Sequence, residues 1–236
     1  KELTNYHAVV PGEQIQVALD ILSDIFLDPL LEPKQLDLER GVILEELKMY
    51  EDTPDDIVHD LFAEAIFEGH ILGRPIIGTR ETIKSISRKD LFDYRSVYYV
   101  PNNVIIALAG AVDTPRVREY LETAFRNLQG KYDRKTHAQP NIKPHVQFHS
   151  KKTEQVHLCL GTKAVSVLSE DRYAFSVLDN ILGGGMSSRL FQEIREKRGL
   201  CYSVFASDAS FRDFGSFYIY AGTSKENTKA VVELIL

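Results

Sequence analysis

The chain has 236 residues, of which 44% are hydrophobic and 26% are charged, and its formal net charge at pH 7 is -6. This length and composition allow a full apolar core in one large domain or two ordinary ones. The acidic balance with mixed signs of charge argues against a nucleic-acid-binding protein. No apolar run reaches the ~20 residues that span a bilayer, so no membrane partner is predicted.

Two residues, Cys159 and Cys201, are the only cysteines. They lack the C-x-x-C spacing, which excludes a disulfide framework and a cysteine-based zinc cluster and indicates a reducing compartment. The chain starts with Lys1, and its final segment, residues 229–236, has a helical pattern without a C-cap. Both ends are therefore expected to be cuts through a longer protein.

The first 130 residues contain mainly helical patterns, separated by Gly, Pro and Asn turns. In chain order, the predicted elements are a strand at Leu3–Val10, helices at Glu13–Leu27, 34–50 and from Thr53 towards Gly69, a helix capped by Ser87, a buried strand at Val104–Ala109 and a helix at Pro115–Leu128. The polar stretch 131–147, which carries two prolines, is predicted to be an interdomain linker.

The second half shows strands and helices in similar proportion. The predicted elements are a strand at Glu154–Gly161, helices at Asp171–Leu182 and Ser187–Arg198, strands at Tyr202–Ala206 and Ser216–Ala221, and a helix from Ser224. The fold class is predicted to be α+β, with mostly antiparallel sheets covered by helices. Similar strand-turn-helix patterns near residues 6–22 and 220–235 suggest a duplicated domain.

Glu39 and Glu46 lie seven residues apart in a predicted helix. Seven residues are nearly two turns, so both carboxylates are expected on one face, roughly 10 Å apart along the axis. Val42 and Ile43 place them beside an apolar stripe, where a carboxylate must be paired, hydrogen-bonded or bound to a cation. Periodicity alone favours the simpler alternative, a solvated acidic face that includes Lys48.

Four motifs occur in order along the chain and together carry a family resemblance. They are ERGVILEE at residues 39–46, LGRPIIG at 72–78, IKSISRKD at 83–90 and RLFQEIREKRGLCYS at 189–203. These motifs resemble the insulinase/pitrilysin zinc metallopeptidases, in particular the short bacterial members and the mitochondrial processing peptidase beta subunit. The resemblance runs through nearly the whole chain.

The resemblance implies a zinc-dependent metalloendopeptidase that hydrolyses peptides with metal-activated water. It implies Zn²⁺ as the cofactor, with Glu46 as the distal metal ligand and Glu39 as a supporting acid. Residues 1–130 would be the later part of an N-terminal peptidase domain, and residues 148–236 the first part of a homologous C-terminal domain. The implied partners are a peptide or unfolded polypeptide substrate and a second subunit, in a homodimer or a heterodimer.

The chain departs from this family in one respect, because it lacks the H-x-x-E-H motif that supplies two histidine ligands and a glutamate base. None of its seven histidines, at positions 7, 59, 70, 137, 145, 149 and 157, has that spacing. The remaining zinc ligands are expected upstream of Lys1, and the chain as given is expected to be inactive alone. The alternative is a non-catalytic partner or scaffold subunit of the same family.

Arg195 and Tyr202 occupy positions where the family contacts the substrate backbone from its second domain. A guanidinium can bind a peptide carbonyl with paired donors, and a phenol can donate to an oxygen that gains negative charge. Without the resemblance, Arg195 would be interpreted as a solvated helix arginine and Tyr202 as a strand-edge tyrosine.

The resemblance also bears on the compartment. Because it includes short bacterial members of the family, the bacterial cytoplasm is the expected compartment, ahead of the mitochondrial matrix.

The triple glycine Gly183–Gly185 precedes a predicted helix and invites comparison with a phosphate-binding loop. It lacks the lysine-serine ending of such loops and a following acidic ribose ligand. A hinge or a close-packed turn is the favoured interpretation.

Overall fold

The computed structural model describes residues 2–134 and 140–236. The predicted linker at 131–147 therefore lies partly outside the described residues. The described elements are helices α1 (Ile15–Leu27), α2 (Pro33–Asp52), α3 (Pro54–Ile66), α4 (Arg80–Ser85), α5 (Arg88–Tyr98) and α6 (Thr114–Ala124), strand β1 (Val156–Ala164), helix α7 (Arg172–Gly183), a π-helical turn (Phe191–Glu196), strands β2 (Cys201–Ser210) and β3 (Gly215–Thr223), and helix α8 (Thr228–Ile235).

The chain divides into two compact units. The first contains Leu3–Leu44 and the described part of Arg80–His137, and the second contains Glu2, Glu45–Thr79 and the described part of Ala138–Leu236. The predicted domain boundaries at 130 and 148 stay predictions. None of the described helices is long and apolar enough to cross a membrane.

Arginine side chains hold the ends of helices in the first unit. Arg95 Nη2 donates to the Phe26 carbonyl, at 2.8 Å, near the end of α1. Arg88 Nε donates to the carbonyl of Leu31 at 2.8 Å, just before α2. The C-terminal end of a helix and an irregular connection both leave backbone carbonyls without partners, and guanidinium groups satisfy such acceptors well. Ser87 begins α5 with a capping box, as its position in the sequence predicts.

A three-stranded antiparallel sheet, in the order β1-β3-β2, organises the second unit. One of its faces forms an apolar core with the π-helical turn and α8, in which Ile194 and Val231 are fully buried. The other face packs against α3, where the rings of Phe62 and Tyr218 lie 5.1 Å apart. The mixture of helices and antiparallel strands confirms the predicted α+β class.

Two predicted strands are wrong for the described chain. Residues 3–10 and 104–109 form no regular structure, and Val9 and Ile105 are 96% and 94% exposed. A β-strand needs neighbouring backbone groups to bond with, and an alternating pattern cannot provide that partner by itself. The last helix begins at Thr228, four residues after the predicted start at Ser224, because Ser224 precedes a turn that ends at the N-cap Asn227.

Candidate functional site

Helix α2 carries both predicted acidic residues, Glu39 and Glu46, and both are exposed. The expected apolar stripe beside them is not buried, since Val42 between them is 60% exposed. Leu47 is the one fully buried residue of this helix. The expectation of a buried apolar stripe beside the carboxylates is therefore wrong for the described chain, and the solvated face that periodicity favours is observed. The role of Glu46 as a metal ligand stays a prediction.

The neighbouring residues Glu45 and Glu46 differ in their ion pairing. Lys48 Nζ lies 2.5 Å from Glu45 Oε1 and so neutralises Glu45. Neither Glu46 nor Glu39 forms an ion pair with any residue that the structure describes. Glu46 thus presents an accessible carboxylate, which is a suitable oxygen ligand for zinc.

A zinc site needs three or four protein ligands. Within residues 2–134 and 140–236, no group of three or more His, Cys, Asp or Glu side chains is placed to hold a metal ion. The donor chemistry of Glu46 fits one position of such a site. The described residues do not complete it.

A β-bulge turns Tyr202 outward at the start of β2. Cys201 pairs with Thr223 and Ser203 pairs with Gly222, so Tyr202 is an extra residue in the β2 strand. Bulges bend a strand and redirect a side chain, and they are frequent beside active sites. Tyr202 is 75% exposed as a result, whereas the adjacent Cys201 is buried in the core.

Arg195 lies beside Tyr202, and the substrate-binding role that the resemblance implies for the two residues stays a prediction. Its Cζ is 5.0 Å from the centre of the Tyr202 ring and 4.7 Å from the centre of the Phe191 ring. Arg195 belongs to the π-helical turn, where the Lys197 N–H donates to the Gln192 carbonyl at 3.0 Å. Such turns often occur at functional sites.

A shallow pocket of about 200 Å³ adjoins Tyr202. Its lining is uncharged and includes Gln155, Gly199, Gly222, Ser224 and Asn227. Two further lining residues are joined by a hydrogen bond, in which the hydroxyl of Thr223 donates to the Leu200 carbonyl at 2.6 Å. A neutral group could therefore occupy this pocket beside Tyr202 without meeting a charged side chain of the lining.

A partly buried polar cluster lies between α3 and the sheet and was not predicted from the sequence. His157 Nδ1 lies 2.9 Å from the Tyr220 hydroxyl, and His59 Nδ1 lies 3.6 Å from Cys159 Sγ. Burial lowers the pKa of His59 and raises the pKa of Cys159 to about 12. The thiol is therefore unreactive at neutral pH.

A signal for this cluster was present in the sequence. His157 and Cys159 alternate on β1, and Tyr218 and Tyr220 alternate on β3, so each pair points to one face of the sheet. The packing of α3 against that face partly covers them.

The triple glycine is a close-packed turn, as favoured from the sequence. A Cβ on Gly183 would lie 2.0 Å from the backbone nitrogen of Ala206 in β2. Only glycine lets α7 and β2 approach this closely.

Comparison with known proteins places the whole chain in one family. Residues 1–80 match the model described as insulinase (peptidase family M16), and residues 85–236 match the peptidase M16 inactive domain. A Bacillus subtilis protein named uncharacterized zinc protease YmxG is 43% identical over 241 residues, which cover 100% of this chain and 57% of that protein. The chain spans about half the length of the curated relatives it matches.

Solved structures share the fold. A peptidase M16 inactive domain from Pseudomonas fluorescens superposes with a TM-score of 0.84 at 23% identity, covering 94% of this chain and 55% of that one. A chain of Complex III2 from Candida albicans superposes with a TM-score of 0.79 at 17% identity, covering 95% of this chain and 56% of that one. At these identities the similarity establishes the fold alone.

Proposed function

The chain belongs to the insulinase family of peptidases, M16, and we propose that the complete protein is a zinc-dependent metalloendopeptidase. The observation that carries the proposal is the Glu46 carboxylate, which is exposed and makes no ion pair with a described residue. Relatives named as zinc proteases support the same chemistry. Two imidazoles from outside this chain would complete the ligand set.

Zinc with three protein ligands keeps a fourth position for water and lowers the pKa of that water. Glu46 would supply the oxygen ligand, and Glu39, two turns earlier on α2, would act as the supporting acid. Arg195 would hold a peptide carbonyl, and the Tyr202 hydroxyl would donate to the oxygen that gains charge during hydrolysis. The substrate class is a peptide or an unfolded polypeptide segment.

Substitution of Glu46 in the full-length protein tests the proposal. We expect Glu46→Gln to abolish stoichiometric zinc binding and to lower hydrolysis of an unstructured fluorogenic peptide more than about 100-fold, because even the loss of an outer-shell partner costs 10–100-fold. Glu45→Gln is the matched control, since Glu45 already pairs with Lys48. Hydrolysis that survives both chelation and Glu46→Gln would rule the proposal out.

A second candidate function is a non-catalytic partner or scaffold subunit. It is favoured by the name of the model that matches residues 85–236, which is the peptidase M16 inactive domain. In that case the full-length protein would bind no zinc and would copurify with a related active subunit. Zinc content, together with the molar mass in solution, separates this function from a homodimeric or heterodimeric peptidase.

We also propose that the protein works in the bacterial cytoplasm. The two cysteines, Cys159 and Cys201, are both free, which suits a reducing compartment. Fractionation of cells that produce the tagged full-length protein tests this location.

A further inference from the structure

We propose that Phe191 is a positioning residue, which holds the Arg195 guanidinium against the Tyr202 ring so that its free donors can bind a peptide carbonyl. This inference rests on the proposed function, because it assigns a partner to one of the substrate-binding groups. Phe191 lies at the first position of the π-helical turn and is partly buried. Neither the motif nor the resemblance gives it a role.

The Arg195 guanidinium contacts two aromatic rings. Arg195 Cζ lies 4.7 Å from the Phe191 ring centre and 5.0 Å from the Tyr202 ring centre. Both distances are within the ~6 Å over which a guanidinium is attracted to an aromatic face. Stacking on a ring leaves the N–H donors of the planar group free at its edge, and these donors suit a carbonyl or carboxylate.

The backbone beneath Arg195 is held from both sides. Ile194 is fully buried in the core, and its carbonyl accepts from the Leu200 N–H at 3.0 Å. The Arg195 carbonyl accepts from the Gly199 N–H at 2.9 Å, where Gly199 has a φ of 62°. The backbone is thus fixed, and the direction of the long arginine side chain depends on the two rings.

Competing acidic groups explain why the rings are needed. Glu196 Oε1 is 3.9 Å from Arg195 Nε, which is longer than a hydrogen bond. The nearby carboxylate of Glu193 is already paired with Lys197 and Arg198. Without the Phe191 ring, the guanidinium is expected to turn towards Glu196, which would occupy the donors that a peptide needs.

Peptide binding to the metal-free full-length protein tests the effect on function. We expect Phe191→Leu to weaken the binding of a fluorescein-labelled unstructured peptide about 5-fold, the size of an exposed cation–π contact. Phe191→Tyr should restore binding to near the wild-type value. Phe92→Leu is the matched control, because the Phe92 ring has an Arg88 Cζ at 4.6 Å in the first unit, and it should leave peptide binding unchanged.

A double variant separates positioning from a general packing effect. Because Phe191 acts through Arg195, Phe191→Leu should weaken binding no further when Arg195→Ala is already present. The proposal would be overturned if Phe191→Leu weakened peptide binding by the same factor in the Arg195→Ala variant as in the wild type. Wild-type binding by Phe191→Leu would also overturn it.

The NMR signal of the Arg195 Nε–H group reports where the guanidinium lies. This signal is assigned as the one that is missing from the spectrum of the Arg195→Lys variant. Ring currents should shift this signal in the wild type, and both Phe191→Leu and Tyr202→Leu should move it towards the position of a free arginine. The second variant alters an exposed side chain and leaves the core intact. An unmoved signal in both variants would overturn the proposal.

Failure of this inference can be distinguished from failure of the proposed function. Absence of any peptide hydrolysis would contradict the proposed function, whereas the NMR signal would still show whether Phe191 holds the Arg195 guanidinium.

Discussion

Tyr202 and Tyr220 lie in adjacent strands and have opposite environments. The bulge at the start of β2 directs Tyr202 outward, and its hydroxyl has no hydrogen-bond partner among the described residues. Tyr220 is buried, its hydroxyl contacts His157 at 2.9 Å, and burial raises its pKa to about 12. The first hydroxyl can meet a substrate, whereas the second is part of the core.

This difference predicts separate effects of removing each hydroxyl. In the full-length protein, Tyr202→Phe should lower kcat about 100-fold, as the loss of one oxyanion donor does, with KM and Tm nearly unchanged. Tyr220→Phe should leave kcat unchanged and lower the free energy of unfolding by about 1 kcal/mol, since it removes one buried hydrogen bond. Steady-state kinetics and thermal unfolding measure both. Equal kcat values for the two variants would contradict the assigned roles.

The lowered pKa of His59 predicts that the stability of the chain depends on pH. Burial lowers the pKa of His59 below its ordinary value of 6.5, although Asp56, Asp55 and Asp60 oppose the shift. The His59 ring therefore binds a proton more readily in the unfolded chain than in the folded chain. Neutral His59 does not reduce the stability of the fold above about pH 6.5. Below that pH the free energy of unfolding falls, until the pH has passed the pKa that His59 has in the folded chain.

The corresponding prediction concerns the melting temperature between pH 7.5 and 5. Tm should fall with pH in the wild type, and His59→Gln should flatten part of that fall because it removes the titrating ring. His149→Gln, at an exposed position, should keep the wild-type pH dependence. Parallel curves for wild type and His59→Gln would show that the His59 proton does not contribute.

Helix α7 packs closely against strand β2 at Gly183, the first of three successive glycines. A Cβ at Gly183 would lie 2.5 Å from the Ala206 side chain, whereas a Cβ at Gly185 would meet no atom within 4 Å. Three successive glycines look equivalent in the sequence. Their roles separate once a helix packs on a strand.

We therefore expect Gly183→Ala to destabilise the chain by about 1–3 kcal/mol, the usual cost of overpacking a core. Gly185→Ala should be neutral or stabilise the chain by up to about 1 kcal/mol, because alanine reduces the freedom of the unfolded chain. Urea unfolding followed by circular dichroism measures both. A smaller loss for Gly183→Ala than for Gly185→Ala would contradict the close approach of α7 to β2.

For the molecule as a whole, apolar residues are divided between a compact core and an exposed set. In the second unit, Phe67 is 1% exposed and Phe148 is 93% exposed. The chain also covers about half the length of the relatives it matches. Large apolar side chains in contact with water promote association.

This contrast predicts different results for two similar substitutions in the 236-residue chain. Phe148→Ser should lower the binding of a hydrophobic dye and leave Tm within about 1 °C, since surface changes cost little. Phe67→Ser should lower the free energy of unfolding by roughly 3–5 kcal/mol, as the loss of a buried Phe side chain does. Dye fluorescence and thermal unfolding distinguish them. Comparable destabilisation by both would mean that Phe148 is buried in solution.

Most helices and the strands of the second unit were predictable from the sequence. Helix α1 follows from its apolar spacing, α3 from Thr53-Pro54 at its start, and α5 from Ser87 as its cap. These signals involve residues within a few positions of one another, so the chain carries them locally. The family was also predictable, because four ordered motifs resemble it, and the α+β class was predictable from the succession of helical and strand patterns.

Other features depend on contacts between distant residues, and only the tertiary structure decided them. The lack of strands at residues 3–10 and 104–109 and the outward direction of Tyr202 each depend on which backbone lies alongside. The same is true of the Phe191–Arg195–Tyr202 stack, which needs a π-helical turn to meet a β-bulge. Local patterns specify helices because their hydrogen bonds are local, whereas burial and strand pairing depend on partners far away in the chain.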